Sequence, residues 1–253
     1  MRNLGDDRMG KGIFVVGTDT GVGKTIVSAG LAMTLKARGL KVGVMKPVAT
    51  GCIGSDQRLV SHDAVYLFEA AENEYAPLTS PFRFRNPVAP SVAEIYEQTK
   101  VDVQTIKNAY QQLCHHYDYV IVEGIGGLMV PIQKKYYVAN LIRDLGLPIL
   151  IVSPIGLGAI NHTLLTVDSA IIRGLIIKGI IFNRAPLVNF SLAELTNPKV
   201  VHELTGLPIL GSLPELEDLD VENCKFGKLG QVFKDRINID ALLKPEPTLV
   251  LGY

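Results

Sequence analysis

Net charge is the first thing this chain lacks. Among its 253 residues, 25 Lys and Arg balance 25 Asp and Glu, and the isoelectric point lies near 7.0. With no basic excess there is no bulk attraction for nucleic acid or an anionic membrane, so neither is expected as a partner. Cysteine is also scarce. Cys52, Cys114 and Cys224 are far apart and form no CxxC pair, which argues against a disulfide framework or a structural zinc site. Long apolar runs are missing as well. The longest, Leu147 to Ile160, is broken by Pro148 and Pro154 and is too short to cross a bilayer. Met1 to Lys11 carries Asp6 and Asp7 and no apolar core, so it does not read as a signal peptide. Residues 1–11 are expected to be a flexible extension, and the protein to be soluble and cytoplasmic. Internal repeats and low-complexity linkers are absent too.

What is present is a globular composition, 47% hydrophobic and 20% charged. At roughly 150 residues per domain the chain reads as one domain spanning 1–253, large enough to bury about 70% of its unfolded surface. Short Ile- and Val-rich runs recur at Gly12–Gly17, Lys41–Pro47, Asp118–Glu123, Pro148–Ser153, Lys178–Asn183 and Pro208–Gly211. They are apolar on both faces, as parallel strands covered on two sides must be. Helical spacing fills Thr25–Arg38, Val101–His116 and Gly158–Arg173, and Gly39 and Gly174 stand where C-terminal glycines belong. Asn189–Thr205 reads as a helix interrupted by Pro198. Val48 to Pro90, rich in Pro and Gly, reads as a long functional insertion. Alternating strands and helices predict an α/β, doubly wound and mainly parallel sheet with helices on both faces, and the glycine-rich GTDTGVGKT loop at Gly17–Thr25 makes the expected fold P-loop NTPase-type.

The most informative segment is Gly17-Thr18-Asp19-Thr20-Gly21-Val22-Gly23-Lys24-Thr25, which leaves a strand and opens a helix. In that context backbone N–H groups and a helix N-terminus cradle phosphates. Lys24 reaches the terminal phosphates, and the Thr25 hydroxyl can hold Mg²⁺. The strict G-x-x-x-x-G-K-[ST] pattern fails at Thr18, where the first Gly is expected. No Asn-Lys-x-Asp tetrapeptide argues for guanine.

Other groups stand at strand ends, which face the ligand crevice of an open α/β sheet. Lys46, in KPVATG, could supply charge to an anion beside the γ-phosphate, or be a solvated strand-end lysine. Thr50 could donate to the same anion or sit in a turn. Asp63, in SHDA, could bind Mg²⁺ or favour a helix N-terminus. Glu123 ends an apolar strand, where an unpartnered carboxylate would be costly, and reads as metal-facing. The glycines Gly124, Gly126 and Gly127 after it allow close backbone approach. Thr25, Asp63 and Glu123 suit Mg²⁺, which takes one or two carboxylates plus phosphates and water. Asn183 could read a base edge or cap its strand. His115 and His116 read as surface groups. His62, His162 and His202 have no zinc spacing, and no Ser–His–Asp arrangement is readable.

GTDTGVGKT, KPVATG, SHDA, NPVAPS, VEGIGG, FNR and GSLPEL, in this order, resemble the ATP-dependent dethiobiotin synthetases of biotin biosynthesis, from about Gly12 to Leu216. The resemblance implies a homodimer that converts 7,8-diaminopelargonate, CO₂ (or bicarbonate) and ATP to dethiobiotin, ADP and phosphate. It implies catalytic roles for Lys46 and Lys24, and nucleotide contacts from Gly21 through Val22, Gly23, Lys24 and Thr25 to Ile26. Further nucleotide contacts are implied for Asp63, Glu123, Gly124, Ile125, Gly126, Asn183, Arg184, Leu213, Pro214 and Glu215. Thr50 would meet the substrate carbamate. The helix start Gly158-Ala159-Ile160-Asn161 of a partner subunit would meet the distal carboxylate. Ser91 after Pro90, where the family often has His, and Leu128, where it often has an aromatic residue, are departures that bear on substrate packing. Two other readings stay open: a cobyrinate-type amidating synthetase, and a partitioning-type ATPase that works as a nucleotide switch. The first usually carries a glutaminase domain, for which this chain is too short. Asp19 stands where the second usually has a lysine.

Overall fold

A computed structural model describes residues 12–55, 58–185 and 188–244. The expected flexible extension at 1–11 lies outside the described residues. The chain opens with β1 (Gly12–Gly17), α1 (Lys24–Ala37) and β2 (Val42–Met45). An excursion follows: β3 (Val48–Ala49), the antiparallel pair β4 (Ile53–Ser55) and β5 (Arg58–Val60), α2 (His62–Ala71), α3 (Ala76–Thr79), β6 (Phe82–Arg83) and α4 (Pro90–Glu97). Next come α5 (Val103–His116), β7 (Tyr119–Gly127), the short β8 (Pro131–Gln133) and β9 (Tyr136–Tyr137), and α6 (Val138–Leu145). Regular alternation then returns with β10 (Ile149–Pro154), α7 (Ala159–Ile172), β11 (Ile177–Ala185), α8 (Leu192–Thr205) and β12 (Ile209–Pro214). The described chain closes on α9 (Leu229–Arg236) and α10 (Ile239–Leu242).

The main sheet has the order β12-β11-β10-β1-β7-β2, and every pairing in it is parallel. Successive strand residues point to opposite faces, so each strand feeds two cores. Phe14, Val16, Val120, Val122, Ile149 and Ile151 enter one core with α5 and α6. Ile13, Val15, Val44, Ile121, Leu150 and Val152 enter the other with α1 and α2. This double burial is why the strands read as unbroken apolar runs. The chain winds outward from β1 in both directions, and the crevice at its C-terminal end is the position where such sheets bind ligands.

Two sequence expectations need correction. Pro198 does not interrupt α8, which runs unbroken from Leu192 to Thr205. The missing N–H is offset by a capping box between Ser191 and Glu194, and by Asn197 Nδ2, which donates to the carbonyls of Ile155 and Gly156, both at 2.8 Å. The Val48–Pro90 stretch is more ordered than a loop-rich reading implies. It packs α2 through Tyr66 and Leu67, both fully buried, onto the α1 side of the sheet. Among the described residues no helix is long and apolar enough to cross a membrane.

Candidate nucleotide and metal site

The turn between β1 and α1 needs glycine at two points. Gly21 and Gly23 have φ of 73° and 94°, in the left-handed region. At Gly23 space is also decisive, because a Cβ would lie 1.8 Å from Asn183 Nδ2. Asp19 shapes the same turn by accepting a hydrogen bond from the Thr20 backbone N–H at 2.6 Å. Lys24 is buried at the start of α1, and its Nζ donates to the Asp19 carbonyl at 3.0 Å. Burial, and then the neighbouring Lys46 ammonium, pull the Lys24 amine down from 10.5 to about 8, against the opposing pull of the Glu123 and Asp63 carboxylates.

Behind the loop is a compact polar cluster. Lys46 leaves β2 with its backbone N–H donated to the Thr79 carbonyl at 2.6 Å. Its side chain is buried, and Nζ donates to Glu123 Oε1 and, at 2.9 Å, to Asp63 Oδ2. Thr25 Oγ1 donates to the same Glu123 Oε1 at 2.9 Å. Glu123 is fully buried, and its Oε2 has no partner among the described residues. Asp63 is the second residue of α2, whose start is fixed by Ser61 Oγ accepting from the Ala64 N–H at 3.2 Å. Burial alone would push the Asp63 carboxyl up and the Lys46 ammonium down. Their mutual attraction, with Glu123 added at Lys46, wins in both cases: the carboxyl is lowered and the ammonium raised.

These groups line a cavity of about 520 Å³. Of the residues expected from sequence, Gly21, Gly23, Lys24, Thr25, Ile26, Lys46, Thr50, Asp63, Glu123, Ile125, Gly126 and Arg184 lie on its wall. Others do not. Val22 is buried in the core on the α1 side. Gly124 backs onto the Phe14 ring, 2.9 Å from where a Cβ would be, and offers only its carbonyl toward Lys46. Asn183 is buried, and its Nδ2 is committed to the Val22 carbonyl at 2.9 Å. Its donor therefore braces the phosphate loop. Leu213 is buried in the core, and the Glu215 backbone N–H is tied to the Ala185 carbonyl, so neither these nor Pro214 line the cavity. Gly158, Ala159, Ile160 and Asn161 open α7 away from this cavity, with Gly158 as an N-cap that makes no side-chain bond.

Val221 and Glu222 also line the cavity and were not foreseen. They lie after the last strand, in a turn closed by the Asp220–Lys225 bridge and held by Phe226 on Tyr66. No local motif announces them. Ser61 and His62 line it too, and follow from the SHDA segment once α2 is placed.

Comparison with known proteins agrees with this geometry. A family model described as an AAA domain matches residues 11–223. In overall shape the chain is similar to the MinC:MinD cell division protein complex of Aquifex aeolicus (TM-score 0.55, 16% identity, 92% of this chain and 94% of that one). It is similar to the same degree to a ParA family ATPase from Chlorobium tepidum (TM-score 0.55, 15% identity, 92% and 100%). At such identities these likenesses speak to fold alone. Sequence likeness goes further. The ATP-dependent dethiobiotin synthetase BioD of Thermodesulfovibrio yellowstonii is 41% identical over 243 residues, 93% of this chain and 99% of that protein. That of Aquifex aeolicus is 39% identical over 209 residues, 83% and 91%. With the phosphate loop, the strand-end lysine and the buried carboxylate in register on a parallel sheet, the chain belongs to the ATP-dependent dethiobiotin synthetase family.

Proposed function

We propose that the protein converts 7,8-diaminopelargonate, CO₂ and ATP to dethiobiotin, ADP and phosphate, as a cytoplasmic homodimer using Mg²⁺. The observation that carries this reading is the Lys46–Asp63–Glu123–Thr25 cluster on the wall of the phosphate-loop cavity, in which a buried lysine at the second strand's end stands beside the metal-facing carboxylates.

The residues fit magnesium. Thr25 Oγ1, the Asp63 carboxylate and the unpartnered, buried Glu123 Oε2 are hard oxygen donors. Among the described residues no group of three or more His, Cys, Asp or Glu could hold a metal alone, so ATP phosphates would complete the shell. When bound, the ion would neutralise charge on the transferring phosphoryl group.

In the reaction, one substrate amine adds to CO₂ and releases a proton, giving a carbamate. The carbamate oxygen attacks the γ-phosphorus and ADP leaves, giving a carbamic–phosphoric anhydride. The second amine then attacks the carbonyl carbon, expels phosphate, loses its proton and closes the five-membered ureido ring. The protein aligns these partners and balances charge. Lys24 and the glycine turn hold the phosphates, and Lys46 and Thr50 face the carbamate. Ile125, Gly126 and Arg184 border the nucleotide. Asn183 braces the phosphate loop through its bond to the Val22 carbonyl. The helix start Gly158–Asn161 of a second subunit receives the distal carboxylate.

The deciding experiment measures phosphate release and, by mass spectrometry, dethiobiotin, with diaminopelargonate and bicarbonate omitted in turn. Both products should appear only when both are present. Steady ATP hydrolysis without them overturns the assignment.

A further inference from the structure

Resting on the magnesium reading above, we propose that Lys46 competes with a divalent cation for the metal seat: its ammonium holds one oxygen each of Asp63 and Glu123, and this bond weakens metal binding to those carboxylates. Lys46 Nζ bridges Asp63 Oδ2 and Glu123 Oε1, the acids expected to ligate the metal. The Thr25 hydroxyl, the third expected ligand, lines the same cavity and donates to the same Glu123 oxygen. One oxygen of each carboxylate is therefore engaged by the lysine, while Glu123 Oε2 has no partner among the described residues.

Charge makes the competition strong. Lys24, Lys46, Asp63 and Glu123 sum to zero formal charge on one cavity wall, with all but Asp63 buried. A lone divalent cation would add two positive charges to a balanced, poorly hydrated cluster. Arriving with the ATP polyanion, it is compensated. The lysine is also built to swing rather than unfold. Its backbone is pinned by the 2.6 Å bond to the Thr79 carbonyl, while its long side chain can turn from the carboxylates to an anion in the cavity. A metal bound with nucleotide would meet less of this competition than a metal alone, and Lys46 would then be available to an anion in the cavity.

A distinctive consequence follows. Removing this lysine should impair turnover yet strengthen nucleotide-free metal binding. Mn²⁺ binding is measured by electron paramagnetic resonance on the full chain, without nucleotide, for wild type, Lys46→Met, Lys46→Gln and Lys24→Met. The Gln variant keeps a donor near Glu123 should Met fold poorly. Both Lys46 variants should bind Mn²⁺ at least about tenfold more tightly than wild type. Lys24→Met, which removes a nearby charge that bonds neither carboxylate, should gain clearly less. Lys46 variants within about threefold of wild type, or an equal gain in Lys24→Met, overturn the proposal. A wild type that binds no Mn²⁺ even with ADP overturns the metal reading itself, and the proposal with it.

Discussion

Single residues carry most of the chemistry, and Lys24 shows how burial tunes one. Its amine sits at about 8 in the empty protein, chiefly because it is buried, then because Lys46 is near. A bound polyanion favours the charged form, so nucleotide binding takes up a proton once the pH passes 8. ATP affinity should hold steady from pH 6.5 to 7.5 and then fall, by up to about tenfold per unit above pH 8. Titration calorimetry in buffers of different ionisation enthalpy checks this, and Lys24→Arg should flatten the profile. The same depression acts on stability with the opposite sign. Between about 8 and 10.5 the native state has shed a proton that the unfolded chain still holds, so this residue makes stability rise with pH there. Lys46→Ala should lower turnover by on the order of 10²–10³ while ATP affinity changes much less, as read by kcat against a nucleotide titration. Most of these groups were legible because each stands at a strand end or in a glycine turn, where sequence position and crevice coincide. Val221 and Glu222 were not. Packing of Phe226 on Tyr66 delivers them from a turn that has no signature of its own. Asn183 was legible as a site residue but not as a brace, because the Val22 carbonyl it bonds lies 161 residues away.

At the scale of elements, α2 matters more than its length suggests. It is ten residues long, and its first turn presents Asp63 to Lys46. Ser61 starts it by accepting from the Ala64 N–H. Ser61→Ala should cost about 1 kcal/mol in denaturant unfolding. Because the Asp63 backbone depends on that turn, it should also raise the Mg²⁺ concentration needed for half-maximal rate. Asp63→Asn and Glu123→Gln should raise it further, and a flat metal titration for both would reject the three-ligand site. The six main strands and α1, α5 and α7 were readable because doubly buried strands and capped amphipathic helices have strong local patterns. The interior of Val48–Pro90 was hidden by its Pro and Gly content, and α6, α9 and α10 by their shortness. Pro198 misled because tertiary ties through Asn197 outweigh one lost helical hydrogen bond.

For the whole molecule the open matter is what completes the cavity. The α7 start lies outside it, yet Leu157 beside that start is 98% exposed, and Leu165 and Ile172 on the same helix are 60% and 80% exposed. Exposed apolar side chains of this size, next to backbone amides with no side-chain cap, suit a subunit interface that brings α7 of one chain to the substrate end of the other. The two halves of the reaction then depend on assembly differently. ATP meets residues of one chain, so its affinity should not change with protein concentration. In the proposed homodimer the diamine would meet both chains, so its KM should rise as the protein is diluted. Ile172→Arg places a charge at an 80% exposed apolar position of α7, far in sequence from the phosphate loop. Sedimentation should show it shifted to monomer, calorimetry should show ATP binding within about twofold of wild type, and kinetics should show the KM for diaminopelargonate raised at least tenfold. A monomeric variant with an unchanged KM would place the whole substrate site within one chain and return the α7 start to a purely structural role.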